Sequence, residues 1–246
     1  MIAATDIGDG EIAHMDDPSF IDDGANSIAT AMPSHDQAIS KQRSPEWYAE
    51  RAGKLTASMF AQAVGIGIGS RQQAWRRHFG IEVFEGNPAT QWGVDHEPDA
   101  LAAYQKMQDV VSKSDRVALT GFHVHPLYPW LGASPDFLIG DKGLGEIKCP
   151  ANQTLYEEIP PYYMAQIQGQ MEVTDRFWCE FVCWTPTAMR IWRVARSPTY
   201  WDWLHVKLAE FWIYVAAQIE PPRMKRPAIP NVDGLIRYDS GVIKFN

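Results

Sequence analysis

Two carboxylates and an ammonium group lie close together in the stretch SPDFLIGDKGLGEIKCP, residues 134–150. One residue separates Glu146 from Lys148, and Asp136 begins the apolar run that precedes them. The apolar segment FLIG, the turn-forming segment DKG and the second run LGEIKC predict a hairpin of two strands. Because side chains alternate between the faces of a strand, Glu146 and Lys148 share one face, and Asp136 can lie across from Glu146.

This set of side chains suits a hard divalent cation. Two adjacent carboxylates repel each other unless a cation lies between them, and oxygen ligands of this kind favour Mg²⁺ or Mn²⁺. A lysine two residues after the glutamate can hold or deprotonate a water bound to such a cation. A Glu-apolar-Lys triplet on a solvated strand often forms only an ion pair, however. The triplet alone therefore leaves a metal-dependent active site and a surface ion pair as alternatives.

The composition is typical of a globular protein with one sizeable domain. The chain has 246 residues, of which 46% are hydrophobic, and this is enough for one core. No apolar run is long enough to cross a membrane and no N-terminal signal sequence is visible, so we expect a cytoplasmic protein. The three cysteines, Cys149, Cys179 and Cys183, are expected to be reduced. We interpret Cys179 and Cys183 as core residues because a fourth cysteine for a thiolate cluster is absent.

The negative charge is concentrated at the N-terminus. The formal net charge is −8, and the first 40 residues hold eight acidic and no basic residues. Subtracting these from the 30 acidic and 22 basic residues of the whole chain leaves 22 of each in residues 41–246. We therefore predict a disordered acidic tail (1–40), a folded domain (41–220) and a proline-rich C-terminal extension (221–246). A neutral domain can bind nucleic acid only through a local basic patch.

The elements that must position the hairpin alternate between helices and strands. Helices are predicted in RSPEWYAERAGKLTASMFAQAVG (two), RQQAWRRHFGIEVF, TQWGVDHEPDALAAYQKM, YYMAQIQGQMEVT and SPTYWDWLHVKLAEFWIYVAAQIEPP. Strands are predicted in VALTGFHVHP, WLGASPDFLIG, LGEIKCP, RFWCEFVCWTP and MRIWRVAR. This order predicts an α/β (α+β) fold with a mixed central β-sheet flanked by helices, similar to a restriction-endonuclease-like core.

Several stretches, taken in order, resemble known nucleases. The hairpin, including Pro135, resembles the active-site motif of the PD-(D/E)xK nucleases. Four stretches resemble the lambda-type phage exonucleases, also called YqaJ-type viral recombinases: WYAERAGKLTAS, WGVDHEPDALAAY, ASPDFLIG with GLGEIKCP, and YYMAQIQGQMEVT. The resemblance spans roughly residues 43–195. Each stretch alone is a weak signal, but their joint occurrence in the right order is strong.

The resemblance implies a role for each site residue. Asp136 and Glu146 would hold a catalytic Mg²⁺, for which Mn²⁺ is a possible substitute, helped by the backbone carbonyl of Ile147. Lys148 would position the attacking water, and Glu97 would face the metal site from its helix. A pocket for the terminal 5′-phosphate of the digested strand would be lined by Arg51, Ser58, Ser134 and Gln166.

Simpler interpretations stay open for some of these residues. Glu97 also suits the beginning of a helix, where the helix dipole favours a carboxylate. Arg51 could be a solvated helix residue. His123 and His125 share a strand face and His96 adjoins Glu97, so each could reach a metal. For His123 and His125 we expect core or surface positions, because no stretch of the resemblance includes them.

The function implied by the resemblance is a Mg²⁺-dependent 5′→3′ exonuclease acting on linear double-stranded DNA. It would leave 3′ single-stranded overhangs for a single-strand annealing protein in phage recombination, inside the cytoplasm of a bacterial host. A homotrimeric ring around the duplex is also implied, and no membrane partner is expected. The alternatives are a structure-specific or restriction-type endonuclease with the same metal site, and a DNA-end-binding protein without catalytic activity.

Overall fold

The computed structural model describes residues 40–83, 85–111 and 117–245, which belong to one compact unit, Ala38–Asn246. Except for Ser40, the predicted acidic tail lies outside the described residues. The helices are α1 (Pro45–Arg51), α2 (Ala57–Ala63), α3 (Arg71–His78), α4 (Pro88–Val111), α5 (Pro161–Val173) and α6 (Pro198–Ala216). The strands are β1 (Leu55–Thr56), β2 (Val117–Leu119), β3 (His123–Val124), β4 (Leu131–Ala133), β5 (Phe137–Ile139), β6 (Gly143–Lys148), β7 (Trp178–Thr185), β8 (Ala188–Ala195), β9 (Ile236–Asp239) and β10 (Ile243–Lys244).

A mixed sheet of seven strands lies at the centre of the described ranges. Its order is β10-β8-β7-β6-β5-β2, and β9 also pairs with β8. β6 and β7 run parallel, whereas β5–β6 and β7–β8 are antiparallel. A smaller sheet has the order β1-β4-β3. This mixed sheet with flanking helices confirms the predicted fold class.

Helices cover both faces of the central sheet. On one face, α2, α5 and α6 contribute buried side chains such as Phe60 and Leu208 to the larger core. On the other face, α4 contributes the fully buried Tyr104 to a second core. Because side chains of β6 alternate between these faces, Ile147 packs in the second core while Glu146 contacts α5. The site is thus held between a strand and a helix that are both anchored in the core.

α1 and α6 each begin at a proline that follows a serine. Ser44 Oγ accepts the backbone N–H of Trp47 at 3.3 Å. Ser197 Oγ accepts the backbone N–H of Tyr200 at 3.1 Å. A proline follows each serine at the first helical position, where the N–H it lacks would have no helical partner. These caps fix where each helix begins.

α4 contains the whole predicted helix of residues 90–107 and is longer at both ends. It begins at Pro88 and continues through Pro98, so the suggestion that Glu97 begins a helix is wrong. A proline inside a helix removes one backbone hydrogen bond and usually marks a boundary. Here the helix continues on both sides, packed against the sheet through Tyr104. Glu97 therefore projects from the interior of a long helix.

The segment after Pro221 extends the central sheet. Both β9 and β10 pair antiparallel with β8, and Arg190 donates to the carboxylate of Asp239 at 2.9 and 2.6 Å. The predicted C-terminal extension is thus joined to the domain as far as residue 245. Among the described residues, no helix is both long enough and apolar enough to cross a membrane.

Candidate active site

The hairpin of β5 and β6 brings Asp136 beside Glu146. The Asp136 N–H donates to the carbonyl of Gly145 at 3.1 Å, directly before the pair formed by Phe137 and Gly145. The Ile147 N–H donates to Oδ2 of Asp136 at 2.6 Å. These two bonds fix both the backbone and the carboxylate of the aspartate against β6. The predicted hairpin is therefore confirmed.

The carboxylate of Glu146 is 3% exposed and receives three donors. Its Oε1 accepts from the Lys148 ammonium, and from Nε2 of Gln166 at 2.6 Å. Its Oε2 accepts from Nε2 of Gln170 at 2.6 Å. Burial of a carboxylate is costly unless the group is paired and hydrogen-bonded, and these donors meet that condition. Because a carboxylate has about four acceptor positions, one remains on Oε2 for a further partner.

The charges of the site shift the pKa values of two groups. Burial raises the pKa of Asp136 well above its usual range, and the carboxylates of Glu146 and Glu97 raise it further. Burial alone would lower the pKa of Lys148, but Glu146, Tyr163 and Asp136 together outweigh this effect and the pKa is raised. Lys148 is therefore a cation and a hydrogen-bond donor, whereas the ionised form of Asp136 requires positive charge nearby.

The donor set fits a magnesium ion. Within residues 40–83, 85–111 and 117–245, no three His, Cys, Asp or Glu side chains are grouped so that they could hold a metal. Mg²⁺ does not require such a group, because it usually keeps several waters and is bound by one or two carboxylates. Asp136 and Glu146 supply these, and the carbonyl of Ile147 can add a protein oxygen. A divalent cation here would also relieve the repulsion that raises the pKa of Asp136.

Glu97 reaches the same region from α4. Its Oε2 accepts from the Arg43 guanidinium at 2.6 Å, and its charge is close enough to contribute to the raised pKa of Asp136. Gln42 donates to the carbonyl of Pro135 at 2.7 Å. The short segment before α1 is therefore bound both to the hairpin and to α4, and the role of Glu97 in catalysis stays a prediction.

A second polar cluster surrounds Arg51 at the end of α1. The guanidinium donates to the hydroxyls of Ser134 and Thr56 at 3.4 Å each and lies 4.0 Å above the Trp47 ring. Ser58 Oγ is 3.2 Å from Thr56 Oγ1. Burial lowers the pKa of Arg51 to about 10, and in the described part of the chain Arg51 forms no ion pair with a carboxylate. A half-buried guanidinium set among hydroxyl groups suits a phosphate oxygen.

One cleft of about 890 Å³ connects the two clusters. Gln166 lines it from α5, but its amide is bonded to Glu146 rather than to the hydroxyls around Arg51. All the predicted site residues line this cleft: Arg51, Ser58, Glu97, Ser134, Asp136, Glu146, Ile147, Lys148 and Gln166. The fold thus brings them to one place, and their assigned roles stay predictions.

Two neighbours of this site, Trp47 and Gln170, are not among the predicted site residues. Trp47 donates from Nε1 to Ser134 Oγ at 3.0 Å, and Gln170 donates from Nε2 to Glu146 Oε2 at 2.6 Å. Trp47 precedes Arg51 by four residues in α1, and Gln170 follows Gln166 by four in α5. Residues four apart share a helix face. This spacing could have indicated both residues.

The three histidines considered as metal ligands have other surroundings. His96 stacks on Trp92, with ring centroids 3.7 Å apart, and its Nδ1 lies 2.9 Å from the Trp92 carbonyl oxygen. His123 Nε2 lies 2.6 Å from Thr120 Oγ1. His125 is buried, and its Nδ1 accepts two backbone N–H groups of the following turn. None of the three lines the cleft.

Comparison with known proteins places the chain in a family. Residues 46–176, more than half of the chain, match the YqaJ-like viral recombinase domain. This range contains Arg51 and Ser58 as well as the β5–β6 hairpin and α5. A search of curated protein sequences found no match.

Solved structures show a similar fold. Two structures of the alkaline exonuclease LHK-Exo from Laribacter hongkongensis, one in complex with dAMP, match with a TM-score of 0.61. They are 32% and 33% identical to this chain, and the matches cover 72% of this chain and 95% of theirs. A phage-related exonuclease from Haemophilus somnus 129PT, 16% identical, shares the fold with a TM-score of 0.51 over 67% of this chain and 94% of its own. The chain therefore belongs to the YqaJ-like viral recombinase family, as its resemblance to the lambda-type phage exonucleases predicted.

Proposed function

We propose that this protein is a metal-dependent exonuclease that digests linear double-stranded DNA in the 5′→3′ direction. The observation that carries the proposal is the single cleft lined by both the Arg51 cluster and the set Asp136, Glu146 and Lys148. An endonuclease requires only the second of these. A half-buried guanidinium in the same cleft gives a reason for action at a strand end, because a terminal phosphate carries more negative charge than an internal one.

Each side chain near the scissile bond has a defined role in this proposal. Bound by Asp136, Glu146 and the Ile147 carbonyl, Mg²⁺ would stabilise the negative charge that develops on the scissile phosphate. Lys148 donates one N–H to Glu146 and has two more donors, one of which can orient the attacking water. Because Lys148 is an ammonium in this ion pair, it holds the water in place rather than removing its proton.

Arg51 would hold the 5′-phosphate of the digested strand. The hydroxyl oxygen of Ser134 accepts from both Arg51 and Trp47, so its own O–H is available to donate to a phosphate oxygen. The hydroxyls of Thr56 and Ser58 lie next to this group. Because the half-buried guanidinium forms no ion pair with a carboxylate in the described part of the chain, its charge is available for strong charge-assisted bonds to a phosphate.

The relatives support a nuclease with a nucleotide-sized product. LHK-Exo is described as an alkaline exonuclease, and one of its structures contains dAMP, a deoxynucleoside monophosphate such as stepwise hydrolysis of DNA releases. The matched family is described as a viral recombinase domain. We accordingly propose 3′ single-stranded overhangs as the product, a single-strand annealing protein as the partner and a homotrimer as the assembly.

A gel assay on matched DNA substrates tests the proposed function. Linear duplexes labelled at the 5′ or the 3′ end and a covalently closed circle of the same sequence are incubated with the protein and Mg²⁺. We expect early release of the 5′ label, late loss of the 3′ label and an intact circle. Asp136→Asn and addition of a chelator should each abolish release.

Three results would contradict the proposal in different ways. Cleavage of the closed circle at a comparable rate would favour the endonuclease. Early release of the 3′ label would reverse the polarity. DNA binding without cleavage in Mg²⁺ and in Mn²⁺ would indicate an end-binding protein without catalytic activity.

A further inference from the structure

Gln170 is a buried glutamine whose two polar atoms have different surroundings. Its Nε2 donates to Oε2 of Glu146 at 2.6 Å, and the residue is 1% exposed. Its Oε1 is buried and finds no partner in the described part of the chain. Rotating the amide by half a turn would not help, because a carbonyl oxygen cannot donate to a carboxylate. An unpaired buried polar atom destabilises the fold. The bond from Nε2 to Glu146 is therefore the polar interaction that stabilises Gln170 at this position.

We propose that Gln170 is a positioning residue of the active site. It does not line the cleft, so it acts through Glu146, whose carboxylate plane it fixes. The acceptor position that remains on Glu146 Oε2 is then available to a cation shared with Asp136. This inference rests on the proposed function, because it assigns Gln170 a part in holding that cation.

The other two donors cannot supply this restraint. Lys148 and Gln166 both bind Oε1 of Glu146, and the terminal torsion of a glutamate has a broad energy minimum. A carboxylate held at one oxygen can therefore rotate about that torsion, and the bond from Gln170 prevents it. Gln166 and Gln170 lie one turn apart on α5, so a single helix buried in the core carries both donors.

α5 also provides a matched control in Gln168, which is likewise 1% exposed. Gln168 donates to the carbonyl of Ala195 at 2.9 Å and accepts from the N–H of Ser197 at 2.8 Å. Both partners are backbone groups immediately before α6, and Gln168 does not line the cleft. Gln168 therefore stabilises the fold, and replacing it leaves two backbone groups unpaired.

The experiment compares Gln170→Met with Gln168→Met in the full chain. Binding of Mn²⁺ alone is measured by calorimetry without DNA, kcat and KM are measured on linear duplex, and Tm is measured without metal. Gln170→Met should bind Mn²⁺ about 10- to 100-fold more weakly than wild type, with a similar loss in kcat and little change in KM. Its Tm should fall by less than that of Gln168→Met, because loss of the donor to Glu146 Oε2 is partly offset by removal of the unpaired Oε1.

Gln168→Met should give the opposite pattern. Its Tm should fall by roughly 4–8 °C, because two backbone groups lose their partner. Its Mn²⁺ affinity and kcat should match wild type. A residue with only a structural role would lower Tm without changing Mn²⁺ affinity, so the two variants separate the two roles.

Each other outcome has a definite meaning. Wild-type Mn²⁺ affinity and kcat in Gln170→Met would overturn the positioning role and leave the exonuclease function intact. A Tm of Gln170→Met below that of Gln168→Met, or failure of Gln170→Met to fold, would overturn it as well. If wild type binds Mn²⁺ but digests no DNA, and Gln170→Met binds Mn²⁺ more weakly, the proposed function fails and the positioning role stands. A wild type that binds no Mn²⁺ contradicts both.

Discussion

At the residue scale, the two carboxylates of the site have different surroundings. Glu146 receives Lys148 from its own strand and two glutamine amides from α5. Asp136 receives one backbone N–H and lies near two other carboxylates. The first carboxylate thus receives three donors from the protein, whereas burial and the neighbouring carboxylates disfavour the ionised form of the second. This difference is the physical reason for expecting metal dependence.

Lys148→Ala should lower kcat about 100-fold or more, the scale of one positioned acid–base group. The change removes the donor that we propose orients the attacking water but leaves both carboxylates and both glutamines in place, so Mn²⁺ affinity should change little. Single-turnover digestion of linear duplex measures the effect. Lys142→Ala, at an exposed position in the turn of the same hairpin, is the control and should be unchanged. A near-normal rate for Lys148→Ala would show that this lysine serves only as an ion-pair partner of Glu146.

At the element scale, the β5–β6 hairpin is fixed by an aromatic ring packed over a glycine. The buried Phe137 ring covers Gly145 so closely that an added Cβ would come within 2.0 Å of it. The same ring contacts Tyr104 of α4, with centroids 4.8 Å apart. Gly145 is therefore required by packing, and this packing lies one residue away from both Asp136 and Glu146.

Gly145→Ala should lower the free energy of unfolding by about 1–3 kcal/mol, because the new methyl group displaces the Phe137 ring. Gly93→Ala is the matched control, since the nearest atom to its added Cβ is the Cys149 carbonyl oxygen at 3.9 Å. Gly93 lies within α4, so alanine there should raise stability by up to about 1 kcal/mol. Urea denaturation measures both changes. Equal stability of Gly145→Ala and wild type would contradict this account of the hairpin.

At the scale of the whole molecule, local features were predictable and long-range pairings were not. Helix caps, alternation along strands and the hairpin turn depend on neighbouring residues, so the sequence indicated them directly. The pairing of β9 and β10 with β8 depends on contacts between distant segments, which no local pattern specifies. The helical pattern of residues 90–107 predicted α4 through Pro98, and only the interpretation of Glu97 as a helix start was wrong, because tertiary packing outweighs a local helix-breaking signal.

The same distinction holds for the site. Residue types and spacing indicated the hairpin carboxylates and Lys148, but the family resemblance was needed to bring Arg51 to Ser134, 83 residues away. Only the three-dimensional structure shows which donor bonds to which acceptor. Gln166 bonds to Glu146 rather than to the cluster around Arg51, and neither periodicity nor composition distinguishes these two partners.

The stability of the whole molecule should fall on acidification because of buried histidines. Burial lowers the pKa of His125 from 6.5 to about 4, helped by His205 and Arg196, and burial also lowers the pKa of His78 and His205. When the folded-state pKa is lowered, the unfolded chain binds more protons as the pH falls. The contribution of His125 is therefore fully present above about pH 6.5 and is lost toward pH 4.

His125→Asn isolates this contribution. Its side-chain oxygen can still accept the N–H groups of Leu127 and Tyr128, but it does not titrate. Between pH 7.5 and 5.0, wild type should lose about 2 kcal/mol more of its free energy of unfolding than the variant, as measured by urea denaturation. Parallel losses in the two proteins would contradict the assigned pKa shift.

The central claim is that one cleft joins a terminal-phosphate pocket to the catalytic carboxylates. The most direct test compares the digestion rate of 5′-phosphorylated duplex with that of 5′-hydroxyl duplex. A charge-assisted bond from Arg51 is worth about 1.5–3 kcal/mol, so wild type should prefer the phosphorylated end by roughly 10- to 100-fold in kcat/KM. Arg51→Ala should abolish this preference, with a much smaller loss on hydroxyl ends. Arg237→Ala, at an exposed position on β9, should retain it. Equal digestion of both ends by wild type would contradict the claim.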